Sequence, residues 1–132
     1  MNTRPVVDSL SRCWTSLDDL LDRLSPEQWA TQSLCPDWTV RGVVEHLGAV
    51  EHMLLGEAPG SMPDALPFGK VGEWLQTVSS LGDDELLARY REVIAARRDE
   101  LAAMSDADFD LPCMTPVGPG TYGRFMDVRV FD

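Results

Sequence analysis

The sequence predicts an all-α protein, a four-helix bundle with a long connection between its second and third helices. In its longest apolar segments the hydrophobic residues recur every three or four positions, which is helical rather than strand spacing. Stretches rich in proline and glycine separate these segments. The 132 residues, 44% of them hydrophobic and 25% charged, are enough for one domain with a substantial core. We therefore expect residues 1–132 to form a single domain.

The first part of the chain predicts one long helix and one short helical turn. Leucines and valines at helical spacing predict a helix over residues 6–24. Ser25, with Pro26 after it and Gln28 three positions on, has the form of a capping box. We expect one helical turn there, with Trp29 packed onto the bundle, and then a loop over residues 31–38.

The second long helix is predicted from residue 40 to about residue 55. Thr39 precedes it and can accept a hydrogen bond from a free amide of the first turn, and Gly56 suits its end. The apolar positions that carry the prediction are Val40, Val43, Val44, Leu47, Val50 and Leu54.

The two histidines of the chain lie on this helix, at different angles to its apolar stripe. At about 100° per residue the stripe is centred near Leu47 and Leu54. His46 then lies roughly 90° from that centre, and His52 lies roughly 150° away, on the solvent side. Two metal ligands on one helix need a spacing of three or four residues, as in H-E-x-x-H, and here the spacing is six. Any ligand partner of His46 must therefore come from another helix.

The second half of the chain predicts two further long helices. Residues 56–72 hold three prolines and four glycines and form the long connection. A short helix is expected over residues 73–78 and a long one from about 84 to 104. Residues 105–120 are predicted to be a loop. The last helix begins at residue 121 or 122.

The last helix has no residue that would end it. Neither glycine nor proline follows its apolar pattern, so we expect residues 1–132 to be cut within the fourth helix. Tyr122, Phe125, Val128 and Asp132 fall within an arc of roughly 120°. Asp132 is therefore predicted on the inward face, where a carboxylate is costly unless it is paired or binds a metal. The alternatives for Asp132 are an ion pair with Arg129 or a frayed helix end.

Composition narrows the choice of partner and compartment. The net charge of −11 argues against nucleic acid and anionic membranes, which bind basic surfaces. No apolar run approaches the roughly 18 residues of a membrane span. Cys13, Cys35 and Cys113 are an odd number without a C-x-x-C motif, so we expect buried, inert thiols and a reducing cytoplasm.

Several of these residues together resemble the DinB-like superfamily. Within it, the sequence is similar to the metal-binding N-terminal domain of mycothiol-dependent maleylpyruvate isomerase, and the resemblance covers nearly the whole chain. The residues that carry it are Leu24-Ser25-Pro26, Trp29, Cys35-Pro36-Asp37-Trp38-Thr39-Val40-Arg41, His46-Leu47 and Arg129-Val130-Phe131-Asp132.

The resemblance implies a divalent metal, zinc or nickel, between the second and fourth helices. His46 matches one ligand and Asp132 a second, and a third ligand, a histidine, would fall four residues beyond Asp132. We therefore expect residues 1–132 alone to bind metal weakly or not at all. A site of two histidines and one carboxylate leaves zinc an open position, where a mycothiol-type thiol could bind as thiolate.

Two functions follow from these expectations. The first is an enzyme, a metal- and thiol-dependent transferase or isomerase with a small electrophilic substrate and no catalytic residue yet assigned. The second is a non-catalytic helical module for binding or homodimerisation, with an incomplete metal site. For His46 the alternative to a ligand role is a hydrogen bond to a nearby carbonyl. A third possibility is that a second copy of the chain completes the site.

Overall fold

The computed structural model describes residues 4–132, and this part of the chain is mostly helical. Residues 1–3, which the sequence assigns to the same domain, lie outside the described residues. The predicted all-α class is confirmed. None of the helices in the described part has both the length and the apolar content that a membrane span needs. The helices are α1 (Pro5–Leu21), α2 (Pro26–Trp29), α3 (Val40–Leu54), α4 (Gly69–Val78), α5 (Asp83–Ala103) and α6 (Tyr122–Phe131).

Short-range hydrogen bonds begin α2 and α3 where the sequence predicts them. The Ser25 hydroxyl accepts from the Gln28 amide, and the Gln28 side chain accepts from the Ser25 amide, which completes the capping box of α2. The Thr39 hydroxyl accepts from the amide of Gly42 at 3.2 Å and caps α3. After α3 the chain turns at Gly56, whose φ of +82° favours glycine.

Two helix bounds differ from the prediction. The first helix, predicted over residues 6–24, ends at Leu21, and a turn follows it. The short helix predicted over residues 73–78 begins earlier, at Gly69, so that α4 occupies part of the predicted connection. The connection between α3 and α5 therefore contains an ordered helix that packs on α3.

The prediction of a loop over residues 105–120 is wrong in part. It contains a 3₁₀ turn, Asp106–Asp110, and an antiparallel hairpin of β1 (Pro112–Thr115) and β2 (Gly118–Thr121). Each strand has only four residues and neither shows alternating hydrophobicity, so the pattern contained no strand signal. The hairpin instead depends on Gly118, whose φ of +106° closes the turn, and on packing against α6.

The core forms where α1 packs against α5 and α6 and where α3 packs against α4 and α5. On α3 the stripe predicted near Leu47 and Leu54 is confirmed at Leu54, which is buried, whereas Leu47 is half-buried and the buried side extends instead to Gly48 and Glu51. Trp74 of α4 lies directly over Gly48 and covers a side of α3 that apolar spacing leaves exposed.

Candidate metal centre

The two residues that the sequence proposes as metal ligands lie side by side. His46 projects from α3, and Asp132 directly follows α6, 86 residues later in the chain. The Nε2 atom of His46 lies 3.2 Å from Oδ2 of Asp132. The partner of His46 thus comes from the end of another helix and not from α3, as the spacing of the histidines requires. That the pair binds a metal remains a prediction.

The loop before α3 holds the His46 ring. The Trp38 indole stacks on His46, with 4.6 Å between ring centroids and 24° between ring planes. Trp38 is itself held by its backbone: its carbonyl accepts from the amide of Ser33 at 3.1 Å and from the side-chain amide of Gln32 at 2.9 Å. Because Trp38 immediately precedes the Thr39 cap, the start of α3 and the orientation of His46 are set together.

Asp132 is ionised and paired. The hydrogen bond with His46 lowers the pKa of Asp132 to about 2, helped by the charge of Arg129 and opposed by partial burial. Arg129 Nη1 donates to the same oxygen, Oδ2, that faces His46. The ion pair with Arg129 therefore exists together with the contact to His46. Asp132 is a carboxylate at neutral pH, the form that binds metals.

A buried chain of ion pairs supports Asp132 from behind. The Nε atoms of Arg129 and Arg97 donate to the two carboxylate oxygens of Glu51, at 2.8 and 3.0 Å. Arg97 also donates to Glu100 at 2.8 Å. Glu51 and Arg97 are 0% exposed and Arg129 is 6% exposed. The chain of charges runs from α5 through α3 to α6 and ends at the His46 contact.

Glu51 is the residue that sequence reasoning missed. In the sequence, Arg97 and Arg129 fall at helical spacing among the apolar residues of α5 and α6, and two buried guanidinium groups require a buried carboxylate. That requirement was the available signal. Burial alone would lower the pKa of Arg97, but the negative charge of Glu51 raises it above its usual value. Arg97 therefore stays charged although it is buried.

A cleft of about 570 Å³ opens beside His46 and Asp132. It lies between α3, α6, the start of α4 with the loop before it, and the turn of the hairpin. Its remaining lining residues are mostly apolar: Ala49, Val50, Met53, Leu66, Phe68, Val71, Met114, Thr115, Pro116, Phe125, Val128 and Arg129.

The pair fits two positions of a zinc site. With bonds of about 2.0–2.1 Å, two ligand atoms of tetrahedral zinc are about 3.3 Å apart. The 3.2 Å between Nε2 and Oδ2 matches that separation. An imidazole nitrogen and a carboxylate oxygen are both common zinc ligands. Residues 4–132 contain no group of three or more histidine, cysteine, aspartate or glutamate side chains placed to hold a metal, so in this part of the chain His46 and Asp132 are candidate ligands without a third beside them.

Comparison with known proteins leads to the same family. The model of a protein family described as the mycothiol maleylpyruvate isomerase N-terminal domain matches residues 10–132. The chain belongs to this family. The resemblance stated from the residues is therefore confirmed.

A solved structure shows the same fold. The crystal structure of the mycothiol-dependent maleylpyruvate isomerase matches with a TM-score of 0.73 at 17% identity, which supports the DinB-like, all-α fold. The match covers 97% of this chain and 57% of that chain, so the present chain spans little more than half the length of that protein. None of the curated proteins is significantly similar in sequence.

In this member of the mycothiol maleylpyruvate isomerase N-terminal family, the second histidine and the three cysteines lie away from His46 and Asp132. His52 faces α4, with its ring 5.6 Å from Trp74, and is half-buried rather than on the solvent side. Cys113 is buried, which raises its pKa and keeps it an inert thiol. Cys13 and Cys35 are exposed, so the prediction of three buried thiols is wrong for these two. Apolar spacing could not show this, because cysteine occurs at both buried and exposed positions.

Proposed function

We propose that this chain is the metal-binding domain of a transferase or isomerase that uses a mycothiol-type thiol and a small electrophilic substrate. The observation that carries the proposal is the meeting of His46 and Asp132 at the mouth of a cleft. The family match supports it, and so does the likeness in fold to a mycothiol-dependent maleylpyruvate isomerase. Zinc or nickel would be held by His46, Asp132 and a further ligand, and when bound it favours the thiolate form of the thiol.

The residues of this chain prepare the site for that chemistry. Stacking on Trp38 restrains the His46 ring, and Arg129 restrains the Asp132 carboxylate, so both ligand atoms are held in place. Holding them beforehand reduces the entropy that is lost when a metal binds. The apolar walls of the cleft provide few polar groups beside the pair, so a group bound there would lose part of its hydration and its electrostatic interactions would strengthen.

One observation favours a second function. In residues 4–132 only two candidate ligands meet, and the ligand oxygen of Asp132 also accepts a hydrogen bond from Arg129. A module that kept the fold without a metal could use the same cleft for binding, or pair with a second copy. The two proposals differ in whether the protein holds a metal through His46.

Metal binding tests the proposal. Zinc and nickel would be measured by equilibrium dialysis and metal analysis on the longest natural form of the protein. We expect about one metal per chain, and His46→Ala or Asp132→Ala should weaken binding by about tenfold or more, since each removes a direct ligand.

The matched control is His52→Ala, which removes a histidine on the same helix that faces α4. This variant should bind metal like the wild type. A wild-type protein without metal, or His46→Ala with unchanged affinity, would contradict the enzyme proposal and leave the binding module.

A further inference from the structure

The guanidinium of Arg129 has a nitrogen that the protein itself does not use. Its Nε donates to Glu51 at 2.8 Å and its Nη1 donates to Asp132, but Nη2 has no hydrogen-bond partner among the described residues. In this part of the chain the buried side-chain polar atoms without a partner are the hydroxyls of Tyr90 and Tyr122, and Nη2 is not one of them. Nη2 is therefore accessible to solvent, although Arg129 as a whole is only 6% exposed.

This nitrogen is reached from the cleft beside the candidate metal centre. Arg129 lines the cleft together with His46 and Asp132, and it is the only arginine or lysine among the described residues of the lining. A guanidinium nitrogen that opens into a concave site is a specific donor for a carboxylate, because the hydrogen bond is assisted by charge. The two ion pairs of Arg129 hold the guanidinium in place, so little entropy is lost when a ligand binds to it.

The carboxylates that contact Arg129 do not cancel its charge. Glu51 divides its two oxygens between Arg129 and Arg97. The Oδ2 atom of Asp132 is shared between Arg129 and His46. A divalent cation held by His46 and Asp132 would add positive charge beside the same guanidinium. Metal and anion would therefore favour each other in this cleft.

The rest of the lining suits the carbon skeleton of a ligand. Met53 and Met114 have flexible side chains that adapt to apolar groups of different shape. At the rim the Phe68 ring is 67% exposed, which is typical of an aromatic residue that contacts a ligand. The cleft thus combines apolar walls with one cationic donor.

We propose that Arg129 is a specificity-determining residue, whose Nη2 binds a carboxylate of the substrate while the apolar walls hold the carbon skeleton that carries it. The identity of the ligand as a substrate rests on the proposed function. The contact itself depends only on Arg129 and the lining of the cleft. It can therefore be tested in the metal-free protein, where a carboxylate has no metal to bind.

Benzoate and benzamide provide a matched pair of probes. They have the same ring and a planar head group of similar size, and only benzoate is anionic at neutral pH. Both would be titrated into the longest natural form of the protein without metal, with isotope-labelled arginine, and followed by NMR. We expect one site per chain, with a Kd for benzoate several-fold below that for benzamide. Benzoate, but not benzamide, should shift the guanidinium signals of Arg129.

Two variants test whether Arg129 makes the contact. Arg129→Lys keeps a cation for Glu51 but removes the planar guanidinium and its free nitrogen. This variant should weaken benzoate binding by about tenfold and leave benzamide binding unchanged, which shows that the cleft is intact. Arg124→Lys is the matched control, because Arg124 is exposed on the same helix and does not line the cleft, and it should bind benzoate like the wild type. If Arg129→Lys does not fold, the shift of the Arg129 signals in the wild type decides.

The outcomes separate this inference from the proposed function. Equal affinity for the two probes, Arg129 signals that benzoate leaves unmoved, or unchanged benzoate affinity in Arg129→Lys would overturn the inference and leave Arg129 with its ion pairs alone. Zinc held through His46 in the same protein would then leave the proposed function intact. Conversely, a preference for benzoate through Arg129 in a protein that binds no metal would overturn the proposed enzyme function and retain the carboxylate contact.

Discussion

At the scale of single residues, Glu51 holds the buried charges of this protein together. Its two oxygens accept from Arg97 and Arg129, and its side chain is fully buried. Replacing a buried ion pair by apolar groups is often harmless, but removing one partner leaves an uncompensated charge. The protein has a net charge of −11, so the loss of one carboxylate changes its total charge little. The loss of this carboxylate should nevertheless destabilise the fold, because it leaves buried arginines without a partner.

Substitution of Glu51 tests this role. We expect Glu51→Ala to lower the free energy of unfolding by about 3–5 kcal/mol, because two buried guanidinium groups lose their carboxylate. Equilibrium unfolding in urea measures the change. Glu92→Ala, an exposed position of α5, is the control and should change stability by no more than about 0.5 kcal/mol. Similar unfolding curves for the two variants would contradict the network.

The site residues show what a sequence pattern can and cannot reach. Helical angles placed His46 at the stripe edge and Asp132 on the inward face, and the two meet in the structure. The same angles place Glu51 about 40° from Leu47, within the apolar stripe, but they do not show which cations would pair with a carboxylate there. Only the approach of Arg97 and Arg129 from two other helices explains why Glu51 is buried.

At the scale of elements, the contact between α3 and α4 depends on a glycine. A Cβ atom at Gly48 would overlap the Trp74 indole, lying against Cζ2 and 2.9 Å from Cε2. The indole cannot easily retreat, because it is buried and its Nε1 donates to the carbonyl of Glu45 at 3.0 Å. The absent side chain thus allows α4 to lie close against α3.

A pair of glycine substitutions tests that contact. Gly48→Ala should lower stability by about 1–3 kcal/mol, because the overlap with Trp74 exceeds the gain in helix propensity. Gly72→Ala in α4, where an added Cβ meets nothing within 4 Å, should raise stability by about 0.5–1 kcal/mol. Thermal unfolding of both variants gives the comparison. A Gly48→Ala protein as stable as the wild type would show that the helices are further apart.

Some helices and strands form because of residues close by in the sequence, and others because of contacts with distant residues. The capping residues Ser25 and Thr39 act within three residues of themselves, so the starts of α2 and α3 were predictable. The hairpin at residues 112–121 was not, since its four-residue strands depend on the turn at Gly118 and on packing against α6.

At the scale of the whole molecule, the two tyrosines report on global folding. Tyr90 and Tyr122 are the only tyrosines of the chain, and both are buried. Burial raises the pKa of each hydroxyl above its ordinary value, and Glu51 adds to the effect at Tyr90. Above about pH 10 the unfolded chain therefore releases protons that the folded protein retains.

Alkaline titration tests this difference in proton binding between the folded and unfolded protein. Stability should be unaffected by these groups below about pH 10 and should fall as the pH rises above it. Tyrosinate absorbance should appear together with the loss of helical circular dichroism, in one transition. In guanidinium chloride the tyrosines should titrate near their ordinary pKa of about 10. Tyrosinate absorbance near that ordinary pKa with unchanged circular dichroism would contradict the burial of both rings.

The sequence by itself determined the helical class, most of the helix positions, the family, and His46 and Asp132 as the residues to examine. These depend on periodicity, capping and motif, which act over a few residues. Only the tertiary structure decided which side of α3 is buried, the hairpin, the ion pairs of Glu51 and the apolar cleft. Their energies come from groups far apart in the chain, so that the burial of a glutamate or a glycine depends on what another helix brings to it.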